Sequence, residues 1–251
     1  MRESFRAQME EEFKQLDISL SEHQMEQFFQ YYEMLVERNR VMNLTAITEE
    51  AEVITKHFVD SVSLVKVMPE LRRMNGESGA EKPISLIDVG TGAGFPGIPL
   101  KIAFPECRVT LLDSLNKRVK FLQEVADTLG LSDVNAIHGR AEDFGQNENY
   151  REQFDCCVSR AVANLATLSE YCMPFVKTGG AFISYKSGEI EEEVKAAEHA
   201  VKLLNGKIKE VYPFSLPGTD MKRSFVVIGK EGKLHKKYPR KAGLPSKEPL
   251  K

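Results

Sequence analysis

The chain has no run of 18 apolar residues, which excludes a membrane-spanning helix. Its first residues, MRESFRAQMEEEF, are acidic and lack the apolar core of a signal peptide. A soluble, cytoplasmic protein is expected. Cysteine is scarce: Cys107, Cys156, Cys157 and Cys172 have neither C-x-x-C spacing nor a histidine close in sequence, which argues against a zinc site and for buried, reduced thiols. Cys156 and Cys157 are adjacent in an apolar stretch where side chains alternate between faces. A large net charge is missing as well. The formal charge is −3, but residues 230–251 carry eight Lys/Arg against two acids, a tail of +6 on a body of −9. Such a tail suits a polyanion or is simply a solvated end, and composition leaves both readings open.

What is present divides the 251 residues into two rhythms. Residues 1–72 read as a helical appendage: apolar positions recur at spacings of three and four in QMEQFFQYYEMLVERN, and Ser21 with Gln24 fits a capping box. The aromatic residues Phe28, Phe29, Tyr31 and Tyr32 are expected in the core rather than stacked on bases. A further helix is expected in TEEAEVITKHFVDSVSLVKVM, capped by Thr48, with His57 and Asp60 three apart on one face. RRMNGESGAEKP reads as a linker, with the boundaries placed at 73–83.

From 84 to 230 the pattern becomes α/β. Short β-rich runs at 84–89, 108–113, 134–138, 154–159 and 179–185 alternate with helical runs at 96–104, 115–129, 164–173 and 189–204. This predicts a mostly parallel sheet covered on both faces. GKIKEVYPFSL and RSFVVIGK then follow without a helix between them, predicting an antiparallel hairpin before the basic tail at 231–251. In such a sheet a ligand lies beyond the carboxyl ends of the strands.

The first of those ends is LIDVGTGAGFPGIPL, 86–100. It contains G-x-G-x-x-G (Gly92, Gly94, Gly97), the spacing of a dinucleotide cradle, and also D-x-G-x-G-x-G beginning at Asp88. A carboxylate next to a pyrophosphate is repulsive, whereas next to a sulfonium and an ammonium it is attractive. Pro96 removes an N–H that an anion cradle would use. Both points favour S-adenosylmethionine over a nicotinamide dinucleotide. Asp113 ends the second strand about 20 residues on, where an acid takes the hydroxyls of a ribose in either cofactor; a helix cap is the plainer alternative. Ala141 and Glu142 follow the third strand, and Ser159 and Arg160 close the fourth. His138, ending the third strand, is expected to be structural. The motifs of enzymes that methylate exocyclic base amines (Asn or Asp, two prolines, an aromatic) or pyrimidine carbon 5 (Pro-Cys) are both missing after the fourth strand.

These segments together resemble the glucose-inhibited division protein B family, bacterial methyltransferases of guanine N7 in 16S ribosomal RNA. The resemblance runs through NRVMNLTAIT (39–48), KHFVDS (56–61), the glycine turn, VSRAVANL (158–165), YKSG (185–188), LPGTDMKRSFVVIGK (216–230) and YPRKAGLPSKEPL (238–250). It implies a Rossmann-like class I S-adenosylmethionine-dependent methyltransferase with a seven-stranded sheet, and a guanine of the 530-loop region of 16S rRNA or of the small subunit as substrate. It further implies cofactor contacts from Gly90, Phe95, Asp113, Ala141, Glu142 and Arg160. Lys186, Arg223, Arg240 and Lys241 are RNA-binding candidates, extended by Lys236, Lys237 and Lys247. Guanine N7 carries a lone pair and no proton, so no general base is required and no metal is implied. His57 and Asp60 either wall the substrate or join the appendage to the sheet. A monomer suffices. The alternatives are an NAD(P)-dependent oxidoreductase and a non-catalytic RNA-binding ribosome assembly factor.

Overall fold

The computed structural model describes residues 1–74, 82–160 and 163–251. Helices α1 (Glu3–Lys14) and α2 (Glu22–Met42) lead the chain, and α2 opens on the expected capping box: Gln24 N–H donates to Ser21 Oγ at 3.2 Å, and Ser21 N–H to Gln24 Oε1 at 2.9 Å. The next helical stretch departs from the expected regular helix. It runs as α3 (Glu50–Val53), a π-helical segment (Ile54–Val59), α4 (Asp60–Val62) and a 3-10 segment (Ser63–Lys66). Thr48 is not its cap. Glu49 holds the N-cap position without a side-chain bond, and Thr48 contributes its carbonyl, which accepts from Tyr32 Oη at 3.4 Å. The helical layer also runs past 72, because a 3-10 turn at Pro69–Met74 buries Leu71 and Met74. The rest of the predicted linker, 75–81, lies outside the described residues.

The α/β part comprises β1 (Ser85–Val89), α5 (Gly97–Ala103), β2 (Arg108–Asp113), α6 (Asn116–Thr128), β3 (Val134–His138), α7 (Ala141–Phe144), β4 (Phe154–Ser159) and α8 (Leu165–Cys172). It continues through β5 (Val176–Ser187), α9 (Glu191–Leu203), β6 (Gly206–Ser215) and β7 (Lys222–Lys230), and a short α10 (Leu244–Lys247) lies in the tail. The strands form one seven-stranded sheet in the order β3-β2-β1-β4-β5-β7-β6. Strands β1 to β5 are parallel, and β7 is antiparallel to both β5 and β6, as the hairpin reading expects. The order reverses at β1/β4, so the carboxyl ends of these two strands define the crevice.

Side-chain alternation builds two cores. Leu86, Leu111, Cys156, Val158, Ile183 and Phe225 pack on the face covered by the amino-terminal helices, while Ile87, Leu112, Cys157, Phe182 and Val226 pack on the other. The adjacent cysteines are thus split between faces, and all four thiols are free and buried. The appendage is in fact one wall of the first core: Phe28 and Tyr31, fully buried, share it with Phe58, Phe95, Ile98 and Leu122.

One polar bond joins that wall to the glycine turn, Tyr31 Oη donating to the Ala93 carbonyl at 2.7 Å. Tyr31→Phe leaves a buried carbonyl unpaired and is expected to cost about 1–2 kcal/mol. Urea denaturation should show a lower midpoint at an unchanged m-value.

Candidate active site

Two buried carboxylates, one at the end of β1 and one at the end of β2, hold the turn that follows β1. Asp88 is fully buried; its Oδ2 accepts from Thr91 Oγ1 at 2.7 Å and from Gly97 N–H at 2.9 Å. Burial pushes its pKa up to about 6 against the lowering effect of those two bonds. This corrects the sequence-based expectation: Asp88 does not present its charge to a ligand but braces the turn from beneath. Gly97 is glycine for the same reason, since a Cβ there would stand 2.3 Å from Leu111 Cδ2 and 3.0 Å from Asp88 Oδ2. Asp113, at the end of β2, holds the upper part of the turn. Its Oδ2 accepts from Gly92 N–H at 2.9 Å, where Gly92 sits at φ +63°, and its Oδ1 accepts from Leu115 N–H at 2.9 Å ahead of α6. Arg118 lies 3.5 Å from Oδ2. Asp113 is not the cap of α6, since Leu115 holds the N-cap position without a side-chain bond; each carboxylate oxygen of Asp113 can still accept a second bond.

A cavity of about 540 Å³ opens over this turn, lined by Gly90, Asp113, Ala141, Glu142 and Tyr171, with Gly243 from the tail. Gly90, Asp113, Ala141 and Glu142, proposed from sequence as cofactor contacts, therefore converge. Phe95 and Arg160 do not line it. Arg160 lines a neighbouring cavity of about 680 Å³ with His57, Asp60, Tyr185, Lys186 and Arg223, whereas Phe95 lines neither cavity and is buried against the His57 ring. Ala163 lines both cavities. VSRAVANL crosses 161–162, which lie outside the described residues.

Arg160 is held by three partners, with donors to spare. It donates to Asp60 Oδ2 at 2.9 Å, to the Lys56 carbonyl at 3.1 Å and to His57 Nδ1 at 3.1 Å, and its guanidinium lies 5.0 Å from the Phe95 ring centroid. His57 stacks on Phe95 at 4.3 Å. Because a guanidinium only donates, Nδ1 is an acceptor and the proton resides on Nε2, 2.8 Å from Thr45 Oγ1. Burial, with Arg160 adding, lowers the His57 pKa to about 3. The π-helical segment brings His57, Asp60 and the Lys56 carbonyl to one guanidinium, so these residues both join the helical wall to β4 and line the second cavity. Arg223 Nε lies 3.3 Å from Asp60 Oδ1, making this carboxylate the shared counter-charge of two arginines.

Two RNA candidates are turned inward. Lys186 donates to the Ala163 carbonyl at 2.9 Å and to Glu193 Oε1 at 2.6 Å. Arg240 forms a bidentate pair with the fully buried Glu170, Nε to Oε1 at 2.8 Å and Nη2 to Oε2 at 2.7 Å, and is a structural anchor rather than a phosphate contact. A guanidinium that saturates a buried carboxylate has little left for RNA. Lys236, Lys237, Lys241 and Lys247 remain exposed. His138 holds the Ser114 carbonyl at 3.1 Å, in keeping with a structural role.

Known proteins resemble this chain across nearly its whole length. The family model described as rRNA small subunit methyltransferase G matches residues 24–222. The chain belongs to this family. It is 52% identical over 94% of both chains to the ribosomal RNA small subunit methyltransferase G of Lachnoclostridium phytofermentans, and 50% identical over 95% of both to that of Alkaliphilus metalliredigens. Among solved structures, a mutant of MtNAS in complex with S-adenosylmethionine shares the fold at TM-score 0.51 and 17% identity, covering 81% of this chain and 76% of that one. Family membership takes over the discrimination that Asp88 was expected to supply, and it disfavours the oxidoreductase alternative. Among the described residues, no group of three or more His, Cys, Asp or Glu could hold a metal ion, and no helix is long and apolar enough to cross a membrane.

Sequence reasoning missed Tyr171, Arg118, Arg140 and the tail's Gly243 and Ser246 as lining of the first cavity. Arg118, one turn into the helix after Asp113, was findable from its place at a strand end; the tail residues were not.

The His57 ring should show no protonation shift in NMR between pH 5 and 8. Its folded pKa of about 3 lies below the ordinary 6.5, so the unfolded chain binds this proton first and stability falls as pH drops from 6.5 toward 3. Asp88 acts in the opposite sense, adding stability as pH falls through about 6 toward the ordinary 3.8. In His57→Gln the first contribution is gone, and the loss of urea stability with falling pH should flatten.

Proposed function

We propose that this chain transfers the methyl group of S-adenosylmethionine to N7 of a guanine in 16S ribosomal RNA. The observation that carries the reading is the pair of cavities meeting at Ala163, one over the glycine turn and the other walled by Arg160, His57 and Arg223. The first cavity suits the cofactor: a carboxylate at a strand end, Asp113, stands beside a glycine turn, with Glu142 across from it. When bound, S-adenosylmethionine supplies an electrophilic methyl group. Asp113 takes the ribose hydroxyls, Glu142 and Ala141 meet the adenine, and the Gly90 backbone approaches the amino-acid end.

The second cavity takes the guanine. N7 needs no deprotonation, so the residues here orient the base and exclude water, and positioning of this kind contributes roughly 7–11 kcal/mol. Arg160 orients; Asp60 offsets its charge, which reduces repulsion of the base as the ring gains positive charge. His57, neutral with its proton on Nε2, holds the guanidinium without adding charge. Arg223 and the exposed Lys236, Lys237, Lys241 and Lys247 attract RNA phosphates. The substrate is the small subunit or its RNA, and the chain works as a cytoplasmic monomer in which residues 84–230 carry the sheet, and the helical layer and the tail complete the two cavities.

Transfer of tritiated methyl to small-subunit particles, followed by nuclease digestion and mass spectrometry of the labelled nucleoside, tests the reading; label on any atom other than guanine N7 refutes it. Arg160→Lys keeps the charge but loses the three-way fork; kcat/KM should fall roughly 100-fold and the melting temperature should drop as buried Asp60 and His57 lose donors, while circular dichroism at the assay temperature still reports the folded chain. Lys241→Gln should reduce the slope of log Kd for RNA against log salt by about 0.7. An unchanged slope removes Lys241 from the RNA contact.

A further inference from the structure

Residues beyond 222 lie outside the family match, yet the tail after β7 is folded against the site. The Glu170–Arg240 pair pins it to α8, and Thr167 Oγ1 donates to the Pro245 carbonyl at 3.1 Å. Gln146 donates to the Lys236 and Pro239 carbonyls, and Arg151 to those of Leu234 and Tyr238. These contacts deliver Gly243 and Ser246 to the rim of the first cavity, the one with Gly90 and Asp113 in its lining. There the Gly243 N–H donates to Glu142 Oε1 at 2.7 Å. One carboxylate oxygen of Glu142 is thereby committed to the tail and its rotamer set.

We propose that the tail segment 238–250 is a wall of the cofactor pocket: Gly243 positions the Glu142 carboxylate and Ser246 closes the adenosine side. This rests on the assignment of that cavity to S-adenosylmethionine. Gly243 is a positioning residue, acting through Glu142, and it sits at φ +82°, where the chain turns into α10. Docking of the tail and binding of the cofactor are then linked, each strengthening the other by the same factor. The exposed Lys241 and Lys247 lie on this segment, within reach of a protease.

Two measurements test the proposal. Calorimetric titration with S-adenosylmethionine compares the unaltered full chain with Ser246→Phe and with Lys247→Phe, one residue further along α10 and not in the cavity lining. Ser246→Phe should weaken binding about tenfold and Lys247→Phe less than about twofold, with thermal melting confirming that both variants fold. Limited trypsinolysis of the unaltered chain, which depends on no variant, should show cleavage after Lys241 and Lys247 slowed about fivefold or more at saturating S-adenosylmethionine. Equal affinity of Ser246→Phe and the unaltered chain, or cleavage indifferent to the cofactor, overturns the tail assignment. Failure of the unaltered chain to bind S-adenosylmethionine would instead overturn the functional reading of the cavity.

Discussion

The structure depends on a fully buried carboxylate. Asp88 stands at the end of the central strand β1, where the strand order reverses, and its Oδ2 gathers the Thr91 hydroxyl and the Gly97 N–H into one clasp. That clasp folds the glycine turn back on β1 and starts α5. Burial makes the carboxylate costly, as its raised pKa shows, and the two hydrogen bonds offset part of that cost. Its other oxygen, Oδ1, has no hydrogen-bond partner among the described residues. With the turn clamped from below, Asp113 sets its upper edge through Gly92, and the cavity above the turn acquires its shape.

The same turn couples the helical layer to the site. Tyr31 reaches Ala93 from α2, and the aromatic cluster of Phe28, Tyr31 and Phe58 leads to Phe95, on which His57 stacks. Arg160 caps this stack. What reads in sequence as a separate appendage thus forms the floor and one side of the second cavity, so helical and sheet segments cannot be assigned independent tasks.

The arginines show how little charge alone says about role. Arg160, Arg223 and Arg240 each stand in a segment that carries the family resemblance, VSRAVANL, LPGTDMKRSFVVIGK and YPRKAGLPSKEPL. One is shared among Asp60, His57 and a backbone carbonyl, the second flanks the same Asp60, and the third saturates buried Glu170. Both acids are buried, and what differs is how much of each guanidinium the acid takes: Arg240 gives Nε and Nη2 to Glu170 in a bidentate pair, whereas Arg223 meets Asp60 through Nε alone.

Gly90 apart, which came from the family resemblance, local pattern by itself determined the α/β alternation, the closing hairpin, the capping box at Ser21, the split of Cys156 and Cys157 between faces, and the candidates Asp113, Ala141 and Glu142 at strand ends. These follow from periodicities of two and 3.6 and from the rule that sheet ligands sit at strand ends, all carried by neighbours in the chain. Tertiary structure decided what no local window contains: that Asp88 faces inward, that the helix after Glu50 widens into a π-helical segment around Arg160, that Arg160 lines the second cavity and not the first while Phe95 is buried and lines neither, and that the tail returns to Glu142. The π-helical stretch, with Asp60 at its end, meets Arg160 across 100 to 104 positions and the tail meets Glu142 across 101, while the burial of Asp88 and Phe95 is set only when the layers close.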